Sequence, residues 1–109
     1  GIAVRRDGTI MVAEKSQNRL QLFDREGHSV DIIGELGKRD GQFNCPCSVV
    51  EDPYGYVFVV DTLNQRIQKF DPDLNFISKW GIVGKEPGQL YNPCGICLSW
   101  EPDWAPQEE

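Results

Sequence analysis

The amino-acid sequence repeats itself at a fixed offset of 47 residues. Without any gap, residues 1–47 align with residues 48–94 in 13 identical pairs. These are Gly8/Gly55, Val12/Val59, Arg19/Arg66, Gln21/Gln68, Phe23/Phe70, Asp24/Asp71, Gly34/Gly81, Gly37/Gly84, Lys38/Lys85, Gly41/Gly88, Gln42/Gln89, Pro46/Pro93 and Cys47/Cys94. Chance gives roughly one identity in sixteen positions. A repeat of this size indicates one supersecondary unit used more than once.

Each copy of the repeat reads as four short strands. In the first copy we predict them at Gly1–Val4, Thr9–Glu14, Arg19–Asp24 and Ser29–Gly34. In the second copy we predict them at Ser48–Glu51, Tyr56–Asp61, Arg66–Asp71 and Phe76–Gly81. These runs are rich in Val, Ile, Phe or Leu and are bounded by turn residues. No segment shows a sustained 3.6-residue apolar period, so no helix is predicted.

The second strand of each copy is apolar on both faces. Ile10–Ala13 and Val57–Val60 carry no polar residue, whereas a strand with one wet face would alternate. Four-stranded antiparallel units that stack face to face are typical of β-propeller blades. The sequence therefore predicts an all-β fold, in which Glu35–Pro46 and Ile82–Pro93 lead from one blade to the next.

Several segments of both copies resemble the NHL repeat. They are Gly1–Val4, Val12–Glu14, Arg19–Asp24, Gly37–Pro46, Val59–Asp61, Asn64–Asp71 and Gly84–Leu90. The resemblance covers residues 1–98 and occurs twice. The first copy departs from the pattern at Glu14 and Gln17, where the second copy has the expected Asp61 and Asn64.

The resemblance implies a propeller that closes with about six blades. We therefore expect an incomplete NHL-type propeller of two blades plus one strand, from a longer protein or a truncated gene product. Blade one with its connecting loop spans residues 1–47, and blade two spans residues 48–94. Residues 95–98 are expected to begin a third repeat, and residues 99–109 to form an acidic irregular tail.

The net charge of −6 is uneven along the chain. Residues 1–47 have seven basic and seven acidic groups, residues 48–94 have four and six, and residues 95–109 have none and four. We interpret the last segment as a solvated tail, with a functional acidic tail as the alternative. No apolar run approaches the length of a membrane span, so no membrane segment is predicted.

Four cysteines invite a zinc interpretation, because closely spaced thiolates bind that metal. The repeat argues against it: Cys47 and Cys94 are the same position in adjacent blades, and we do not expect them within roughly 4 Å of each other. Cys94 and Cys97 should point to opposite faces of a strand. We predict structural thiols, including Cys45, with zinc and a disulfide as alternatives. The cysteines suggest a reducing compartment, and we expect a cytoplasmic location.

Candidate catalytic groups are few. His28 is the only histidine, and it falls in a predicted turn between the third and fourth strands. No nucleophile–base pair has an obvious partner, and no glycine-rich phosphate loop lies between a strand and a helix. We therefore predict no catalytic residue, no metal and no cofactor in this segment.

Charged residues recur at the strand ends. We predict that Glu14 pairs with Arg19, and Asp61 with Arg66, across one short loop. The alternative is a charged rim that contacts a ligand. Asp24 and the equivalent aspartate of the second copy end the third strands, where an aspartate can accept backbone N–H groups of the turn.

One end of the predicted propeller gathers the candidate binding residues. In an up-and-down meander, the loops between second and third strands emerge at the same end as the inter-blade loops. Loops on a rigid scaffold are common binding sites, and basic, amide and aromatic groups can contact phosphates and stacked bases. The predicted binding residues are Lys15, Asn18, Arg19, Lys38, Arg39, Asn64, Arg66, Lys85 and Tyr91. Arg5, Arg6, Arg25 and His28 lie at the opposite end.

These features predict a non-catalytic platform that binds protein or RNA, and not DNA. The resemblance implies the substrate-recruiting part of a larger protein such as a tripartite-motif ubiquitin ligase. Alternatives are part of a metal-dependent lyase propeller, which would need histidines in its channel, and a bacterial extracytoplasmic sensor propeller. The uncovered outer faces of two end blades also predict self-association or marginal folding.

Overall fold

The computed structural model of the chain describes residues 1–99. Its strands are β1 (Ile2–Val4), β2 (Ile10–Glu14), β3 (Arg19–Phe23), β4 (Ser29–Ile33), β5 (Pro46–Glu51), β6 (Val57–Asp61), β7 (Arg66–Phe70) and β8 (Phe76–Trp80). Single turns of 3-10 helix, Lys15–Gln17 and Thr62–Asn64, join β2 to β3 and β6 to β7. Residues 1–99 contain no α-helix and no helix that could cross a membrane. Apart from Ser99, the predicted acidic tail lies outside the described residues.

The strands form two antiparallel meanders. Sheet one has the order β1-β2-β3-β4, and sheet two has the order β5-β6-β7-β8. All predicted strands of the two copies are confirmed, with ends shifted by one or two residues. Glycines with positive φ close the tight reversals, as at Gly8 (φ 90°) and Gly55 (φ 93°). The two sheets do not close into a ring within residues 1–99.

The core lies between the two sheets. Because side chains alternate along a strand, β1, β2 and β3 each send one set of residues to the same face. Sheet one presents Met11, Ala13, Leu20 and Leu22 to the core, and sheet two presents Val49, Val57, Val59 and Phe70. Met11, Leu20, Val57 and Val59 have no exposed surface. Burying each such side chain contributes about 1.5–3 kcal/mol.

The residues predicted to begin a third repeat do not form a strand. The structure assigns no strand to residues 95–98. A strand requires a neighbour for its backbone N–H and C=O groups, and none of the strands β1 to β8 pairs with residues 95–98.

Candidate functional site

The loops expected to share one end of the molecule do lie together. The side-chain Oδ1 of Asn18, after β2, accepts the backbone N–H of Cys45 in the inter-sheet loop at 2.9 Å. Asn64, after β6, donates to the carbonyl of Gly37 in the same loop at 2.8 Å. We call this end the loop face, and it comprises residues 15–19, 35–45, 62–66 and 82–92.

A buried carboxylate organises the loop face. Asp61 is fully buried at the end of β6. Its Oδ2 accepts hydrogen bonds from Arg66 Nε at 2.7 Å, Asn64 Nδ2 at 2.9 Å and Gln68 Nε2 at 3.1 Å. Its Oδ1 accepts the backbone N–H of Asn44 at 2.7 Å. This one side chain therefore ties the end of sheet two to the inter-sheet loop.

Arg66 completes the connection from the other side. Its guanidinium donates to the backbone carbonyls of Lys38 at 2.9 Å, Arg39 at 3.0 Å and Gln42 at 2.9 Å. The residue is only 7% exposed. The predicted Asp61–Arg66 pair is confirmed, and its guanidinium holds the loop that carries two exposed basic side chains, Lys38 and Arg39.

Sheet one carries the same arrangement in a more exposed form. Glu14 Oε1 accepts from Arg19 Nε at 3.0 Å and from Gln21 Nε2 at 2.6 Å. The predicted Glu14–Arg19 pair is confirmed, and these hydrogen bonds, that of Arg19 above all, lower the pKa of Glu14. The Arg19 side chain remains 31% exposed, and its Nη groups donate to no loop carbonyl among residues 1–99.

The predicted binding residues divide into two groups. Asn18, Arg19, Asn64 and Arg66 direct their polar atoms to backbone or side-chain partners of the scaffold. The exposed members are Lys15, Lys38, Arg39, Lys85 and Tyr91. The Nζ of Lys85 lies 5.8 Å from the ring centre of Tyr91, within range of a cation–π interaction. A binding role for the exposed group stays a prediction.

The loop face also holds apolar residues that the sequence reasoning missed. A shallow cleft of about 370 Å³ is lined by Lys38, Leu63, Asn64, Gln65, Arg66 and Val83. Leu63 is 51% exposed and Val83 is 61% exposed. The sequence did contain a signal for this cleft: Leu63 is a large apolar residue within a polar loop, outside the predicted strands.

The structure corrects the expectation for the cysteines. Cys47 and Cys94 form a disulfide, with Cα atoms 5.4 Å apart, whereas Cys45 and Cys97 are free. The prediction that equivalent positions of neighbouring units stay apart was wrong. Cys47 lies on β5, and β1 and β5, the first strands of the two sheets, contact each other. Cys94 lies outside the strands, at the same position of the period as Cys47, and it approaches β5 in the same way.

The turns at the opposite end behave as predicted. Asp24 Oδ1 accepts the backbone N–H groups of Glu26 at 3.0 Å and His28 at 2.9 Å. Asp71 Oδ1 accepts those of Asp73 and Asn75 at 2.9 Å each. The ligand atoms of Asp24, Glu26 and His28 lie within 4.8 Å of one another. Since the Asp24 carboxylate already serves the turn, we interpret this exposed cluster as structural.

These turns make the stability of the folded chain depend on pH. The backbone hydrogen bonds, led by those of His28 and Asn75, lower the pKa values of Asp24 and Asp71 in the folded chain. Their contribution is present above the unfolded pKa of about 3.9 and is lost as pH falls through the lower folded values. We expect the urea concentration at the unfolding midpoint to decrease when the pH is lowered below about 4.

The matched test of this pH dependence is Asp24→Asn with Asp71→Asn. An asparagine oxygen still accepts the turn N–H groups but does not titrate, so the double variant should lose less stability on acidification. Asp73→Asn serves as the control, because its side chain accepts no hydrogen bond within residues 1–99. Equal acid sensitivity of the double variant and the parent chain would contradict the assignment.

Comparison with known proteins identifies one similar segment. No protein-family model matches the chain. Over 46 residues the chain is 44% identical to Protein brain tumor of Drosophila melanogaster, an NHL-repeat protein. The match covers 42% of this chain and 4% of that protein, so the chain spans only a small part of this relative. The similarity agrees with the NHL resemblance of the two repeated sheets.

Proposed function

We propose that this segment is a non-catalytic binding platform, made of NHL-type propeller blades, whose loop face binds a protein partner. The observation that carries the proposal is the cleft around Leu63 and Val83. Both apolar side chains are about half exposed or more. Lys38 lies on the rim of the same cleft.

The loop that lines the cleft is held in place by hydrogen bonds, which favours ligand binding because little order has to be imposed on it. Arg66 binds the carbonyls of Lys38, Arg39 and Gln42, so the loop loses little additional freedom when a ligand binds. Its chemistry fits an extended peptide with an apolar side chain beside an acidic one. The apolar group would cover Leu63 and Val83, and the carboxylate would pair with Lys38.

RNA is the second candidate, and a different observation favours it. Lys85 lies over the Tyr91 ring, which pairs a phosphate-binding charge with a surface on which a base can stack. Lys15, Lys38 and Arg39 add exposed positive charge on the same loop face.

The other functional classes draw less support. A metal-dependent lyase propeller requires histidines near the inner strands, but His28, the only histidine of the chain, lies in the β3–β4 turn at the opposite end. In our proposal the segment recruits partners, as in a tripartite-motif ubiquitin ligase.

The test uses the whole chain against two probes, a displayed library of short random peptides and a labelled pool of random single-stranded RNA. We expect selected peptides to bind, and Leu63→Asp with Val83→Asp to weaken them by about tenfold or more. Arg25→Ala, an exposed arginine at the opposite end, should leave binding unchanged.

The RNA arm separates the two candidates. If the RNA pool binds instead, Lys15→Ala with Lys38→Ala and Arg39→Ala should weaken it and reduce its salt dependence, since fewer counterions are released. Leu63→Asp should then have little effect. Failure of both probes to bind would reject the platform.

A further inference from the structure

One exposed apolar residue recurs at the same position of two loops. Leu36 lies in the inter-sheet loop after β4, and Val83 lies 47 residues later in the loop after β8. Leu36 is 63% exposed and Val83 is 61% exposed. In both loops a glycine and then a lysine follow, as Gly37–Lys38 and Gly84–Lys85. Each loop therefore presents an apolar side chain and, two residues later, a cation.

Contact with a neighbouring unit leaves this position open. The loop that carries Leu36 is bonded to sheet two, since Asn64 donates to the Gly37 carbonyl, and Leu36 still remains exposed. Val83 shares a cleft with Lys38 of the preceding loop and also remains exposed. The exposure therefore persists next to a following sheet in one copy and next to a preceding loop in the other.

The two loops have the same conformation, which holds both apolar residues in place. Leu36 forms a parallel bridge with Phe43, and Val83 forms one with Leu90. In each loop the backbone N–H of the following glycine donates to the carbonyl of the bridge partner at 3.0 Å. Because these hydrogen bonds already order the loops, a ligand that contacts Leu36 and Val83 has little backbone to immobilise.

Basic side chains alternate with the two apolar ones. Lys38 follows Leu36 in the inter-sheet loop and also lines the cleft with Val83, so it adjoins both sites. Lys85 follows Val83 in the same way. Both lysines are exposed, and neither forms an ion pair among residues 1–99. This order complements a ligand in which apolar and acidic groups alternate.

The acidic side chains of the inter-sheet loop already have partners. Asp40 pairs with Lys79 of β8 at 2.6 Å between Oδ1 and Nζ. Glu35 Oε1 accepts a hydrogen bond from Gln42 Nε2 at 3.0 Å. Lys38 is therefore the cation that is placed to meet a carboxylate of the ligand.

We propose that the loop face binds an extended acidic peptide through two apolar anchors. One anchor covers Val83, the other covers Leu36, and a carboxylate between them pairs with Lys38. This inference rests on the proposed function and adds a second site to its cleft. Stacked sheets lie about 10 Å apart and an extended chain advances about 3.3 Å per residue, so the anchors should lie about three to five residues apart.

The two sites differ in strength. Leu63 adds a second apolar surface beside Val83. The period equivalent of Leu63 is Ser16, so the site at Leu36 has a polar residue at that position. A peptide with one anchor should therefore occupy Val83, and Leu36 should contribute only when a second anchor is present.

The test compares designed peptides on the whole chain by fluorescence anisotropy. The two-anchor peptides carry a pair of Leu-Asp units whose leucines are about three to five residues apart. The one-anchor peptides have serine in place of either leucine. We expect the best two-anchor peptide to bind about tenfold more tightly, because its second leucine docks without a further loss of overall freedom.

Variants of the chain assign this gain to Leu36. Leu36→Ser should reduce the two-anchor peptide to the affinity of the one-anchor peptide and leave the one-anchor peptide unchanged. Val83→Ser should weaken both peptides, and Arg25→Ala, at the opposite end, should weaken neither. Circular dichroism checks that the strands are retained. Undiminished affinity of the two-anchor peptide for a folded Leu36→Ser chain would overturn the proposal.

A charge exchange tests the carboxylate between the anchors. Lys38→Glu should weaken the two-anchor peptide by about fivefold, since an attraction at the surface becomes a repulsion. A peptide with lysine in place of the aspartate between the leucines should bind this variant with restored affinity. A loss that the exchanged peptide does not restore would exclude the pairing with Lys38.

The outcomes separate this inference from the proposed function. A one-anchor peptide that binds through Val83, with no gain from a second anchor at any spacing, would overturn the two-site inference and leave the cleft as a peptide site. If no peptide binds and the random RNA pool does, the peptide site and this inference are both rejected.

Discussion

Replacing Asp61 with alanine is expected to lower the free energy of unfolding by about 3–5 kcal/mol. The change leaves the Arg66 guanidinium buried without its counter-ion. It also removes the acceptor of the Asn44 backbone N–H and one of the two acceptors of each of Asn64 Nδ2 and Gln68 Nε2. Since small domains have about 5–15 kcal/mol in total, much of the stability should be lost. Urea unfolding of both chains measures the difference.

The repeat supplies the matched control. Glu14→Ala removes the equivalent carboxylate of sheet one, where the Glu14 and Arg19 side chains are 24% and 31% exposed. Because water screens and replaces this pair, the loss should be within about 1 kcal/mol. Equal losses for the two variants would mean that burial does not set the strength of these pairs.

Replacing Phe43 with alanine is expected to cost about 3–5 kcal/mol through lost apolar burial and a cavity between the sheets. Phe43 is fully buried, and its ring centre lies 5.9 Å from that of Phe70. The ring also packs over Gly34, whose positive φ of 93° brings the backbone close. Thermal and urea unfolding should both show the loss.

Two further variants define the cause. Leu90 is the period equivalent of Phe43 and is only partly buried. Leu90→Ala should therefore cost clearly less stability than Phe43→Ala. Phe43→Leu introduces the residue found in the second copy and leaves a smaller cavity, so most of the stability should return. A loss below about 1 kcal/mol for Phe43→Ala would show that the two sheets do not share this core.

Strand positions were predictable from the sequence because their causes are local. Two-faced apolar runs such as Val57–Val60, bounded by turn residues such as Gly55, specify a short covered strand wherever they occur. The Asp61–Arg66 and Glu14–Arg19 pairs were predictable for the same reason, since each joins the two sides of one tight hairpin.

The fold class and the partition into two equivalent units thus came from the sequence, through the 47-residue period. Only the tertiary structure could distinguish the two copies. Arg66 and Arg19 hold the same position of the period, but within residues 1–99 only Arg66 donates to loop carbonyls. The Cys47–Cys94 disulfide and the cleft around Leu63 and Val83 likewise join residues far apart in the chain. Such contacts depend on how sheets and loops pack in space, and a residue's own neighbours in sequence do not encode that.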